Sequence, residues 1–148
     1  MPETPPIVSL VNLGCAKNTV DSERILGRLV EAGFLVAEDP AQAQLCLVNT
    51  CGFIHDAREE SAGVLRELQK LKRGGGLKSV VALGCLVERA QGAPELNAFL
   101  DQADATIGFQ DYARLPEILR DLAARFAKNF DRFPDAPEDV KAAGPRAG

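Results

Sequence analysis

Three apolar runs in this chain stop at a cysteine, and that repetition limits what the chain can fold into. They are "VSLVNLGC", ending at Cys15, "LCLVNTC", ending at Cys51, and "VVALGC", ending at Cys85. Each is short, rich in Val and Leu and unbroken by charge. That is the pattern of a strand buried on both faces, as in parallel sheets covered by helices. A small or polar residue, Gly14, Thr50 or Gly84, precedes each thiol. The glycines read as places where backbone comes close to a bound group.

Helical patterns fill the intervals. Ile25, Leu26, Leu29 and Val30 share one face of a helix over 21–32, closed by Gly33 just past its last turn. Phe34 to Val36 adds a minor strand, and 45–50 is the next buried one. Asp56, three residues before Glu59, reads as a capping box opening a helix with Val64, Leu65, Leu68 and Leu71 at helical spacing, ended by a glycine run. A strand over 79–83 follows, then a short helix from Pro94 bearing Leu96, Phe99 and Leu100, and a strand within "ATIGF" at 105–109. A last helix from about residue 111 keeps Leu115, Ile118, Leu119, Leu122 and Phe126 in register.

The alternation predicts an α/β fold: an open, mostly parallel sheet with helices on both faces, doubly wound and Rossmann- or flavodoxin-like. At 148 residues with 46% hydrophobic content, the chain has material for one core. The expected organisation is an N-terminal extension over 1–6, the folded domain over 7–122, and a helix end and linker over 123–148. The last of these ends in "DRFPDAPEDVKAAGPRAG", rich in Pro, Ala, Gly and charge.

In such sheets ligands bind outside the carboxyl ends of the strands, the edge to which Cys15, Cys51 and Cys85 are assigned. They are 36 and 34 residues apart, so only the fold can bring them together. A structural zinc site asks for four ligands and usually a close CxxC pair, which this sequence lacks. A disulfide is disfavoured by the odd number. It is also disfavoured by the cytoplasmic location read from a chain with no leader-like start and no apolar run of about 18 residues. An iron-sulfur cluster held by three cysteines, one iron open to an exogenous ligand, suits the count. Cys46 precedes Cys51 by five residues in the same strand, about 16 Å at about 3.3 Å per residue, and reads as a small buried hydrophobe.

Asn18, Asp21, Ser22 and Glu23 follow Cys15 and read first as helix-starting residues. Asn18 and Asp21 are also candidates to support the cluster from behind its ligands, and Asn49 and Thr50 to donate hydrogen bonds to its sulfurs. His55, the one histidine, reads as a cap-region or surface residue. A net charge of −4 argues against direct nucleic-acid binding, which needs clustered Lys and Arg, and no membrane partner is expected. The basic stretch "KLKRGGGLK" reads as a helix end running into a loop.

Other classes stay open at this point. A nucleotide-binding module would carry GxGxxG or a P-loop after a strand, and neither is present. A thiol catalyst would need a base such as His55 beside one cysteine. A cluster-free α/β interaction or scaffold module is the third.

The stretches "GCAKNTVDSERI", "NTCGFIHDAREES" and "GCLVERAQGAPEL" resemble, in that order, the N-terminal domain of the methylthiotransferases, radical-SAM enzymes that install a methylthio group. The resemblance covers roughly residues 6–120. "KNTVDSE", and "NTCGFI" followed by "REES", are similar to the branch that modifies a ribosomal protein. The branch that modifies tRNA adenosine, the alternative, continues the middle motif with a serine-basic stretch. The resemblance implies that Cys15, Cys51 and Cys85 ligate an auxiliary [4Fe-4S] cluster. It also implies that the open iron carries the sulfur transferred as methylthio to the β-carbon of an aspartate on a small-subunit ribosomal protein. The family's core binds another [4Fe-4S] cluster and S-adenosylmethionine through CxxxCxxC. The four cysteines here, at 15, 46, 51 and 85, form no such triplet. The implied protein is a transferase when complete, and this domain alone is expected to be inactive.

Overall fold

The structure, a computed structural model, describes residues 6–13, 16–51, 55–75 and 77–132, less the side chains of 16–18, 55 and 126–132. Five strands, β1 (Ile7–Asn12), β2 (Leu35–Val36), β3 (Leu45–Thr50), β4 (Ser79–Gly84) and β5 (Ala105–Ile107), form one sheet in the order β2-β1-β3-β4-β5. Every pairing is parallel. The helices are α1 (Ala16–Glu31), α2 (His55–Arg73), α3 (Cys85–Gly92) and α4 (Leu115–Arg132), with 3₁₀ turns at Pro40–Gln42, Pro94–Leu100 and Phe109–Arg114.

Each residue of β3 and β4 is buried, and the pleat sends successive side chains to opposite layers. Leu45, Leu47, Val81 and Leu83 meet Ile25 and Leu29 of α1 and Leu115 and Leu119 of α4. Cys46, Val48, Val80 and Ala82 meet Leu65 and Leu68 of α2 and Leu86, Val87 and Ala90 of α3. Helices therefore cover both faces, as the unbroken apolar runs require. The strand order is the flavodoxin-like variant of the doubly wound fold.

Gly33 closes α1 as its position predicts. Its φ is +97°, its N–H donates to the Val30 carbonyl, and the Phe34 N–H donates to Leu29, the paired bonds of a Schellman cap. Phe34 and Leu29 pack in the same core cluster. Other expectations need correction. α1 begins at Ala16, so Asp21, Ser22 and Glu23 lie in its interior and do not start it. Val30 is 57% exposed, because a step of about 100° per residue carries it off the Ser22, Ile25, Leu29 stripe. α2 begins at His55, so Asp56 sits within its first turn and favours the helix dipole without being the cap. Helix α3 is absent from the sequence reading, and the segment from Pro94 is 3₁₀. After β5 a 3₁₀ turn intervenes, so α4 starts at Leu115. The assigned linker beyond Arg132, and Gly76, lie outside the described residues. Among the described residues no helix is long and apolar enough to cross a membrane.

Candidate functional site

The strand order reverses between β1 and β3, the switch point at whose carboxyl edge doubly wound sheets bind ligands. Thr50 and Gly84 are register partners at the ends of β3 and β4, strands that lie about 4.8 Å apart in any sheet. Cys51 and Cys85 are the next residues in the chain, so each cysteine directly follows one of two adjacent strand ends. Both are half-buried. Cys15, the third assigned ligand, and Gly14 lie outside the described residues. Among the described residues no group of three or more His, Cys, Asp or Glu side chains is placed to hold a metal ion.

Each cysteine is held by its backbone. The Cys51 N–H donates to Ser61 Oγ at 3.2 Å, and the same hydroxyl donates to the Cys51 carbonyl, also at 3.2 Å. Ser61 is fully buried on α2; its one signal in the sequence is a polar residue three before Val64 on an otherwise apolar face. Cys85 opens α3 directly from Gly84, whose φ is +99°. A Cβ on Gly84 would collide with Asn49 Oδ1 and lie 2.7 and 2.8 Å from the O and N of Thr50. The crowding that demands glycine here thus comes from β3, whereas the sequence reading attributes it to a bound group.

Tyr112, which the sequence reading does not single out although it is the only tyrosine of the chain, reaches across from the 3₁₀ turn after β5. The Gly84 N–H donates to its hydroxyl at 3.0 Å. Its ring packs edge-on against Phe109, with centroids 5.3 Å apart, and the Phe109 N–H donates to the Glu88 carboxylate on α3. Burial raises the Tyr112 phenol above its usual range. The Gly84 N–H opposes this, and the charges of Asp21, Cys85 and Glu88 reinforce it.

Behind the edge, a polar chain joins α1 to β1 and β3. Asn49 Nδ2 donates to Ser22 Oγ at 3.0 Å, Ser22 Oγ to Asn12 Oδ1 at 2.9 Å, and Asn12 Nδ2 to Thr19 Oγ1 at 3.0 Å. The Thr50 hydroxyl donates to the Leu83 carbonyl at 2.6 Å, tying β3 to β4. Asp21 lines a hollow of about 160 Å³ with Arg24, Arg28 and Tyr112. Asn18 lies in the first turn of α1 and His55 opens α2; their side chains lie outside the described residues. Cys46 has no solvent exposure, and burial pushes its thiol up to about 12, as befits a core residue. The candidate donors placed at the edge among the described residues are the cysteine sulfurs of Cys51 and Cys85, and thiolates select soft centres such as iron-sulfur clusters. Two cysteines just beyond adjacent, pinned strand ends are compatible with such a group.

Fold and site together define a class: a parallel α/β domain carrying thiols, in place of a glycine-rich phosphate loop, at its carboxyl edge. The chain matches the family described as "Uncharacterized protein family UPF0004" over residues 8–108 and belongs to it. Its curated relatives include proteins named "Ribosomal protein uS12 methylthiotransferase RimO". The one from an Anaeromyxobacter species is 46% identical over 80% of this chain and 25% of its own length. Those from Cutibacterium acnes and Streptomyces coelicolor are 44% and 43% identical, over 78% and 82% of this chain and 24% of their own length in each case. The chain spans about a quarter of the length of these relatives. Their names agree with the resemblance carried by the three cysteine stretches.

Proposed function

We propose that this chain is the N-terminal, sulfur-carrying domain of a ribosomal protein methylthiotransferase, with Cys15, Cys51 and Cys85 holding an auxiliary [4Fe-4S] cluster. The observation that supports the reading is the Thr50–Gly84 register: it pairs the last residues of β3 and β4, which Cys51 and Cys85 follow directly in the chain at the carboxyl edge of the sheet. When bound, the cluster supplies an open iron that holds the sulfur destined for the β-carbon of an aspartate on a small-subunit ribosomal protein. The chain's own residues do the positioning. Ser61 fixes the backbone of Cys51, Gly84 lets the chain turn into α3 against Thr50, and the Asn49–Ser22–Asn12 chain keeps α1 seated behind the site. In this reading the other [4Fe-4S] cluster and S-adenosylmethionine belong to a core bearing CxxxCxxC, and this domain does not run the transfer alone.

Anaerobic reconstitution with iron and sulfide tests the reading. Wild type and Cys46→Ala are expected to bind about four irons per chain, while Cys15→Ala, Cys51→Ala and Cys85→Ala lose the intact cluster. A folded wild type that takes up no iron, or four variants that behave alike, overturns it in favour of a cluster-free scaffold.

A further inference from the structure

We propose that Tyr112 is a positioning residue that donates its phenol O–H to the sulfur held at Cys85; the inference rests on the cluster reading above. The hydroxyl accepts the Gly84 N–H at 3.0 Å, which fixes the oxygen at the last amide before Cys85. Its own proton has no acceptor among the described residues, and a partly buried donor is not normally left without one. The ring has little freedom to seek an acceptor elsewhere. Phe109 braces it edge-on, and the Phe109 N–H is tied to Glu88, one turn along α3 from Cys85. A protonated, immobilised donor held over the root of a thiolate ligand suits a sulfur acceptor. Such hydrogen bonds are among the factors that set cluster potentials.

A hydrogen bond to sulfur stabilises the reduced, more negative cluster, so its loss lowers the midpoint potential. Wild type and Tyr112→Phe are reconstituted anaerobically, assayed for iron and titrated potentiometrically by electron paramagnetic resonance. Because Tyr112 is the only tyrosine, growth on 3-fluorotyrosine modifies this one site without a mutation and strengthens the phenol as a donor. The expected result is equal iron in all three. The Tyr112→Phe potential is expected to fall by about tenfold in the reduction equilibrium, about 59 mV for one electron, and the fluorotyrosine potential to rise. Opposite shifts of this kind would not follow from a packing role. Equal iron with unmoved potentials overturns the role of Tyr112 and leaves the cluster reading standing. A folded wild type that binds no iron overturns both. If Tyr112→Phe does not fold, the fluorotyrosine protein decides: a raised potential supports the role, and an unchanged one rejects it.

Discussion

Five residues along β3 separate two cysteines with opposite surroundings. Cys46 is the second residue of the strand, covered by helices and without solvent contact, and burial carries its thiol up to about 12. Cys51 stands one residue past the strand end, half-buried, its amide and carbonyl both bonded to one serine hydroxyl. The thiolate is the form that ligates metals, and the core makes that form costly. Position along the strand, more than residue type, separates a filler of the core from a candidate ligand. The same division runs along β4, from apolar Val80–Leu83 to Gly84 and Cys85.

The largest test of this contrast is Gly84→Ala at the edge. A left-handed residue costs about 1–3 kcal/mol and a clash in a packed site a similar amount, so the variant should lose about 4 kcal/mol of stability in urea unfolding. A loss under about 1 kcal/mol would mean that the edge yields more easily than its geometry states. Next comes Asn49→Ala, which leaves Ser22 without a donor in a buried setting and should cost about 2 kcal/mol by the same measurement. A neutral result would detach the polar chain from the seating of α1.

A third test sharpens the interior side and appears only in alkali. The folded Cys46 thiol titrates near 12 and the ordinary thiol at 9.0. Between those values the unfolded chain gives up its proton first, binds fewer protons, and gains on the native state as pH rises. The contribution is whole below about pH 9 and lost towards pH 12, with a slope of at most about 1.4 kcal/mol per pH unit. Tyr112 adds a shift of the same sign. Cys46→Ala should therefore flatten the first part of the alkaline limb and leave the rest. An unchanged limb would place Cys46 in a wetter site than its burial implies.

The sheet is legible in the sequence because a strand buried on both faces must be apolar at every position, as β3 and β4 are. Gly33 is legible because its αL cap has a fixed place after the last turn. Helix α3 is not, since its eight residues begin at the cysteine that ends an apolar run, and its burial is shared with the 3₁₀ segment that follows. At the site, the edge positions of Cys51 and Cys85 follow from the strand pattern. Ser61 and Tyr112 do not, because their roles consist of hydrogen bonds to residues 10 and 28 positions away in the chain, which no local periodicity records.

The all-parallel pairing also fixes when the edge can come into being. Thr50 and Gly84 are 34 residues apart, and Asn12 and Asn49 are 37. No tight hairpin can nucleate either pair, since parallel strands need a long crossover. The entropy of closing those loops is spent before the contacts form, which makes such topologies slow to fold. Before β4 docks on β3, the nascent chain offers isolated thiols and no shared pocket. Assembly of the Cys51–Cys85 pair is thus timed by the docking of the two central strands, and conditions that slow this step delay the site in proportion.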